Sequence, residues 1–316
     1  MENSGLTFYH AVSPDYRTLD KTSIIRYKKV SMKYCDLHTH TTASDGSDSP
    51  AAVIQLAVNS GLKAVAVTDH DTVAGLPEAF EASAKLGIEL LPGAELSVRI
   101  SHGTLHVLAY LIDPGSPELN GVLKEVQSAR AKRNHFILER LNELGRTISW
   151  SELEEMAKGG QIGRPHIARA MVNRGYVRST HEAFAGYLKK GAPAYIPKSI
   201  LSPEGAITTI HKAGGLAVLA HPISLELETP AHLDKLVAHW ADQGLDGIEC
   251  YYSMHSQELT NLSLSLCKKY DLVPTGGSDY HGKAKPKIKV GIGTGGLRVP
   301  YSCVEALKKR WGKGTS

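Results

Sequence analysis

The sequence predicts an α/β fold, an irregular (β/α) barrel of about seven strands with a helical insertion, and three observations carry that expectation. From Tyr34 onward, short β-prone runs alternate with capped helical patterns, which implies a parallel sheet, either doubly wound or closed. The stretch from Pro114 to Ile200 breaks the alternation and reads as helices alone. Nine residues with oxygen- or nitrogen-ligand chemistry follow or end at least five different strands. A parallel barrel gathers strand C-termini around one mouth, whereas an open sheet would spread them along an edge.

Seven strands are expected, at residues 34–37, 63–68, 88–91, 105–111, 216–220, 247–251 and 272–275. Between the first two, Asp48 or Ser49 caps a helix with Pro50 at its first position that stops at Gly61. Ser202 and Pro203 open another, which ends at Gly214-Gly215 directly before the apolar run 216–220. The insertion reads as a helix over 119–144 ending at Gly145, a helix opened by a Ser151/Glu154 capping box, and helices over 165–174 and 180–189. Residues 1–33 form an N-terminal extension without clear periodicity, with Met32 as an alternative start. The expected organisation is therefore the extension 1–33, a barrel from 34–113 and 201–316, and an insertion (cap) domain over 114–200.

Composition narrows the function classes. At 316 residues, 42% hydrophobic and 22% charged, the chain has the make-up of a soluble globular protein with a substantial core. Cys35, Cys250, Cys267 and Cys303 are scattered, with no CxxC pair and no disulfide framework, which fits a reducing cytoplasm. No apolar run approaches the roughly 18 residues that span a bilayer, and the N-terminus lacks the apolar core of a signal peptide. A soluble cytoplasmic protein is expected. The formal charge of +4 is unevenly spread: residues 114–200 hold 14 Lys/Arg against 8 Asp/Glu, or +6, and the remainder holds −2. Basic charge facing a metal site attracts an anionic substrate, although the same count describes a solvated helix surface.

The nine residues are His38, His40, Asp45, His70, Glu95, His106, His221, Asp279 and His281. Imidazoles and carboxylates at strand ends build metal sites, and nine exceed the four to six ligands of one ion, so two or three metals are expected. In Cys35-Asp-Leu-His-Thr-His40, His38 and His40 are two apart where a strand ends, and extended geometry points both rings the same way. Asp45 follows in a Ser-Asp-Gly loop. His70, in Val65-Ala-Val-Thr-Asp-His70-Asp-Thr, stands between aspartates that could orient its ring or merely cap the next turn. Glu95 follows Leu-Pro-Gly-Ala near a strand end, where a carboxylate can bridge two metals, and His106 begins or lies within the next strand. His221 emerges from 216–220, and Asp279 and His281 form an X-x-His pair within Gly276-Gly-Ser-Asp-Tyr-His-Gly282.

The HTH and TDHDT motifs, Glu95 with His106, AHP and SDYHG together resemble the polymerase and histidinol phosphatase (PHP) family of metal-dependent phosphoesterases, from about Tyr34 to Gly282. Gly163-Arg-Pro-His-Ile-Ala168 and Pro193-Ala-Tyr-Ile-Pro197 resemble its bacterial branch of nucleoside 3′,5′-bisphosphate phosphatases and the 5′-to-3′ exoribonuclease RNase AM. The resemblance implies a distorted (β/α)7 TIM-like barrel with a trinuclear site at its mouth. Carried onto this chain, His38, His40, Glu95 and Asp279 hold one metal, Asp45, His70 and His281 a second, and His106, His221 and a bridging Glu95 the third.

The expected function is hydrolysis of nucleotide phosphoesters, either the 3′-phosphate of a pAp-type bisphosphate or successive linkages from a 5′-phosphorylated RNA end. Mn²⁺ is the expected metal, with Zn²⁺ and Fe²⁺ also matching the ligand types. Water activated between two such ions attacks phosphorus in line. Arg164 and His166 are expected to grip substrate phosphate, with Arg130, Arg133 and Lys198 behind them; helix packing competes for each. The partner is a nucleotide or short RNA, with no membrane and no obligate protein partner. Three other readings stand beside this one: a small-metabolite phosphatase such as a histidinol phosphatase, an amidohydrolase, and a non-catalytic metal-stabilised nucleic-acid-binding module.

Overall fold

The computed structural model describes residues 33–101, 103–197 and 201–314. Residues 1–32 of the expected extension, and Lys198, lie outside the described residues. In chain order the first half is β1 (Tyr34–Asp36), α1 (Pro50–Asn59), β2 (Ala64–Val67), α2 (Leu76–Leu86), β3 (Glu89–Val98) and β4 (Leu105–Tyr110). The insertion supplies α3 (Pro117–Glu143), α4 (Trp150–Ala157), α5 (Arg164–Asn173) and the short α6 (Thr180–Ala183). The chain then returns through α7 (Pro203–Lys212), β5 (Leu216–Leu219), α8 (Pro230–Asp242), β6 (Gly247–Tyr252), α9 (Gln257–Lys269), β7 (Val273–Gly277), β8 (Val299–Pro300) and α10 (Ser302–Gly314).

The sheet order is β7-β6-β5-β4-β3-β2-β1-β8. Leu37 N donates to Gly276 O at 3.1 Å and Asp279 N donates to His38 O at 2.8 Å, so the segments leaving β1 and β7 meet and nearly close the barrel. All seven expected strands are present. Two differences matter for the site. First, the sheet is mixed: β4 runs antiparallel to both β3 and β5, because the six residues between Val98 and Leu105 form a hairpin too short for a parallel crossover. That reversal puts the start of β4, and with it His106, beside the C-terminal ends of its neighbours. Second, β3 does not stop at Leu91 but runs through Pro92 and Gly93 to Val98, so Glu95 lies within a strand rather than after one. Gly93 permits this, since a Cβ there would stand 2.7 Å from Ala109 O. The eighth strand, β8, pairs antiparallel with Tyr34 and Cys35.

Period-two alternation divides the strands between two packing environments. Cys35, Ala64, Ala66, Leu91, Leu108, Tyr110, Val218 and Val273 share one buried cluster, which Cys303, Val304 and Leu307 of α10 complete. Val65 and Val67 instead pack with Ile54 of α1 and Leu76 and Ala79 of α2. Each crossover helix opens as its sequence dictates. Ser49 Oγ accepts from Ala52 N at 3.3 Å, and Ser202 Oγ accepts from Gly205 N at 3.1 Å. In the insertion the cap of α4 is Ser149, whose hydroxyl accepts from Glu152 N at 3.2 Å, and not Ser151. Ser149 has the extended backbone that a capping residue needs, whereas Ser151 is already helical. The last expected helix splits: α6 gives way at Phe184 to a π-helical turn, Phe184–Leu188. The insertion has its own buried cluster, including Ile137, Leu141, Leu153, Ile167, Met171 and Leu188.

Candidate metal centre

His38 and His40 lie just beyond β1, on a segment pinned on both sides: His40 N donates to Tyr280 O at 2.8 Å, and Thr68 N donates to Thr39 O at 3.0 Å. Both rings are fully buried, and their Nε2 atoms stand 3.1 Å apart. Glu95 is the hub of the site. Its Oε1 lies 2.7 Å from His106 Nδ1 and 2.9 Å from His221 Nε2. Its Oε2 lies 3.0 Å from His70 Nδ1, 3.2 Å from His40 Nε2 and 3.3 Å from His38 Nε2. Asp279 Oδ1 is 3.3 Å from His40 Nε2, and Asp45 Oδ1 is 3.2 Å from His281 Nε2. The structure thus brings all nine predicted residues into one assembly, buried except for the partly exposed His70 and His106.

Three of the loops that deliver these residues carry non-glycine backbone in the left-handed region, at Asp71 (φ 50°), His221 (φ 22°) and Asp279 (φ 57°). Such conformations concentrate at functional sites, where the surrounding structure enforces them.

Charge in the assembly is divided unequally. Burial opposes protonation of His38, but Glu249, Glu95 and Asp279 overcome it and hold the ring well above the ordinary imidazole value. His40, equally buried, is raised to about 9 by its bonds to Asp279 and Glu95. His70 goes the other way, pushed well down by burial. Burial would raise Glu95, yet the surrounding imidazoles, His106 first, hold it well below the ordinary carboxylate range. Four anionic or lone-pair atoms nevertheless stay without an aligned hydrogen bond: His40 Nδ1, Asp45 Oδ1, His70 Nδ1 and Glu95 Oε2. His70 Nδ1 and Glu95 Oε2 are only 3.0 Å apart, so they are aimed past each other rather than at each other. Buried acceptors left unpaired cost free energy unless something else satisfies them, and a divalent cation fits that donor set.

Four overlapping groups have ligand atoms all within 4.8 Å of one another: His40, Asp45, His70 and His281; His38, Glu95 and His221; His38, His40 and Asp279; His70, Glu95 and His106. The expected three-way partition differs from these groups in placing His40 away from Asp45 and His106 beside His221 rather than His70. His40, His70 and Glu95 each reach more than one group.

Several residues around the ligands were not singled out from the sequence. Glu249, fully buried in β6, takes His38 Nδ1 at 3.0 Å on Oε1 and accepts from His221 N at 2.7 Å on Oε2. Asp36 accepts from Ser278 N at 2.8 Å and Gly291 N at 2.7 Å, fixing the loop that carries Asp279. Tyr252 Oη donates to Asp279 Oδ2 at 2.8 Å, and Lys285 Nζ reaches the same oxygen at 2.5 Å. The signal for Glu249 was a charged residue inside an otherwise apolar strand run. The aspartates flanking His70 do not orient its ring. Asp69 accepts from Thr41 N, Thr41 Oγ1 and Ser44 Oγ, and Asp71 accepts from Ser97 N and pairs with Arg130, because the left-handed turn at Asp71 directs its carboxylate toward the insertion.

The insertion reaches the centre through that pair. Besides Arg130, Gln127 Nε2 and Gln161 Nε2 both donate to Asp71 O, at 2.8 and 2.9 Å. Arg133 is 7% exposed, and burial, with Arg130 and Arg164 nearby, pulls its guanidinium down to about 9. The Nε atoms of Arg130, Arg133 and Arg169 are buried without partners. Arg164 donates to Leu188 O at 3.1 Å. His166 is buried and lowered to about 4, first by desolvation and then by Arg169, and its Nδ1 accepts from Gly163 N at 3.1 Å. That bond makes His166 a cap of its own helix through one ring nitrogen.

A barrel mouth that gathers six imidazoles, four of them buried, and three buried carboxylates defines the class, a metal-dependent hydrolase. The chain belongs to the PHP domain family, whose model matches residues 36–196. It is 34% identical over 258 residues to the 5′-3′ exoribonuclease Rnm of Salmonella typhimurium, covering 81% of this chain and 87% of that one. It is 32% identical over 266 residues to the 3′,5′-nucleoside bisphosphate phosphatase of Chromobacterium violaceum, covering 82% and 91%. A solved structure from Bifidobacterium adolescentis, assigned to the metal-dependent phosphoesterases, superimposes with a TM-score of 0.77 at 33% identity, covering 87% of this chain and 96% of the other. No helix among the described residues is long and apolar enough to cross a membrane.

Proposed function

We propose that this enzyme hydrolyses nucleotide phosphoesters, acting as a pAp-type 3′,5′-bisphosphate phosphatase, a 5′-to-3′ exoribonuclease on 5′-phosphorylated RNA, or both, and that residues 114–200 act as a cap domain. The observation that carries this reading is the set of guanidiniums beside the metal centre, Arg133 buried and Arg130 and Arg164 half-buried. Arg130, Arg133 and Arg164 lie close enough to perturb one another, and Asp71 pairs with Arg130. Buried positive charge in excess, with unpartnered N–H groups, is a receptor for a bound anion, and the planar guanidinium fork matches phosphate oxygens. The relatives that act on nucleotide phosphoesters support the substrate class.

In this reading the nine residues hold two or three divalent cations, Mn²⁺ first, with His38, His40, Glu95 and Asp279 around one, Asp45, His70 and His281 around another, and His106, His221 and Glu95 around a third. Bound divalent cations make water a nucleophile at neutral pH and neutralise charge on the phosphoryl and leaving oxygens. The chain's own residues do the rest. Glu249 fixes His38 and the backbone at His221, Lys285 and Tyr252 hold one oxygen of Asp279, and the arginines seat the phosphate that is not cleaved. His166, neutral near pH 7 with Nδ1 occupied, has Nε2 left to meet a phosphate or ribose oxygen.

Chelator-stripped protein reconstituted with Mn²⁺ tests the reading. Turnover of pAp and of a 5′-phosphorylated oligoribonucleotide, with histidinol phosphate and amide substrates left intact, is the expected result. Preference for histidinol phosphate or for an amide would replace it with one of the other enzymatic readings, and RNA binding without any turnover would make the chain a binding module.

A further inference from the structure

The three carboxylates of the centre present their oxygens in different ways. Both oxygens of Glu95 face imidazole nitrogens, Oε1 those of His106 and His221 and Oε2 those of His70, His40 and His38. Asp45 likewise turns Oδ1 to His281 Nε2 at 3.2 Å and Oδ2 to His70 Nε2 at 3.9 Å. Asp279 is split. Its Oδ1 lies 3.3 Å from His40 Nε2, 3.3 Å from His281 Nδ1 and 3.7 Å from His38 Nε2. Its Oδ2 is taken instead by two protein donors, Tyr252 Oη at 2.8 Å and Lys285 Nζ at 2.5 Å.

Two separate devices aim those donors. Glu249 and Tyr252 are three apart on β6, a spacing that puts side chains on opposite faces of a regular strand. The pairing of β6 with β7 shifts register between Glu249 and Tyr251, and this bulge turns Tyr252 to the side on which Glu249 meets His38. The Tyr252 ring there lies 5.4 Å from that of His221. Lys285 comes from another segment, following a 3₁₀ turn (Gly282–Ala284) that is anchored where Lys283 N donates to Ser47 Oγ at 2.8 Å. Its side chain is 39% exposed, at the solvent edge of the centre. Desolvation opposes its charge, but Asp279, and beyond it Asp45 and Glu95, hold the amine above its ordinary value.

An ammonium beside the ligands repels a cation bound among them, so its place in the centre is not explained by metal retention. What Lys285 and Tyr252 do together is occupy Oδ2. A carboxylate so occupied can give a metal one oxygen, where a free one can give two. Resting on the reading that the nine residues hold divalent cations, we infer that Lys285, with Tyr252, is a positioning residue that restricts Asp279 to the single ligand oxygen Oδ1. The cation held with His38 and His40 thereby keeps a coordination position for water or substrate. Catalytic metal sites keep such a position open, and structural sites close it.

The test titrates metal-stripped wild type, Lys285→Met and the near-isosteric Tyr252→Phe with Mn²⁺. Three quantities are read: the Mn²⁺ dissociation constant, the water-proton relaxivity per bound Mn²⁺, which rises with the number of exchangeable waters on the ion, and kcat and KM for pAp. With Oδ2 freed, Lys285→Met is expected to bind Mn²⁺ at least as tightly as wild type and to show lower relaxivity. Its kcat should fall about 100-fold with KM little changed. Tyr252→Phe should move the same way by less, and Lys285→Arg, which restores a charged donor, should recover the relaxivity. Mn²⁺ binding weakened about 10- to 100-fold in Lys285→Met, the mark of lost support for a ligand, overturns the assignment. So does wild-type relaxivity in both Lys285→Met and Tyr252→Phe. The first two readouts use no substrate, so a wild type that binds Mn²⁺ but fails on pAp and RNA overturns the nucleotide reading alone. A wild type that binds no Mn²⁺ overturns the metal reading and this inference with it.

Discussion

His38 Nδ1 and Glu249 Oε1 stand 3.0 Å apart with both side chains wholly buried, so the ring's other nitrogen, Nε2, is the one turned toward Glu95 and His40. A carboxylate in this position fixes the tautomer and raises the basicity of a ligating imidazole. Glu249→Gln keeps the shape and removes the charge. It is expected to weaken metal binding about 10- to 100-fold, read as the dissociation constant in a metal titration. An affinity equal to wild type would show that Glu249 serves packing alone.

Close approach of β7 to His38 leaves no room for a side chain at Gly277. An added Cβ would lie 2.3 Å from His38 Cβ and 2.4 Å from its backbone nitrogen. Gly277→Ala should therefore force the two segments apart and reduce both stability and metal affinity. Denaturant unfolding of the two proteins, with and without Mn²⁺, checks this; a variant that unfolds at the wild-type midpoint in both conditions would contradict the packing described.

Arg130, half-buried, neutralises Asp71, which is fully buried. Removing one member of a buried pair strands the other, and Arg130→Ala is expected to cost about 3–5 kcal/mol. D71N/R130Q, which removes both charges, should recover part of that loss. If the double variant is no more stable than Arg130→Ala, the ion pair is not the source of the penalty.

His211 Nε2 lies 2.8 Å from Asp246 Oδ2, which also accepts from Ala217 N at 2.9 Å, joining α7 to the start of β5 and the turn before β6. The hydrogen bond to Asp246, with burial opposing it, raises the imidazole above its ordinary 6.5. A raised folded-state value means that the pair's stabilisation is complete below pH 6.5 and lost as pH climbs through the folded value. The difference in Tm between wild type and His211→Gln should accordingly shrink from pH 6 to pH 9. A difference that stays constant or grows would refute the assignment. The pair is partly exposed, so the effect is expected to be small.

The sequence made most of the centre legible because metal ligands are scarce residue types placed at conspicuous strand ends. His38, His40, His70, His221, Asp279 and His281 needed only the apolar runs beside them. Glu95 came with the wrong local setting, and His106 with the right strand but not its direction. Nothing in 88–111 marks β3 as ten residues long through a proline, or β4 as reversed, since direction depends on the length of a hairpin loop and on partners distant in sequence. The supporting shell was hidden for a related reason. Glu249, Asp36 and the Asp71–Arg130 pair acquire their roles only when β6, β1 and the insertion are brought to the same place.

Release of mononucleotide or inorganic phosphate by the chelator-stripped, Mn²⁺-reconstituted enzyme, measured on pAp and 5′-phosphorylated RNA beside Asp279→Ala, tests the central claim most directly. Metal-dependent release by wild type that is absent after stripping and lost in Asp279→Ala is the predicted result. Release that persists without metal, or that Asp279→Ala retains at the wild-type rate, would contradict it.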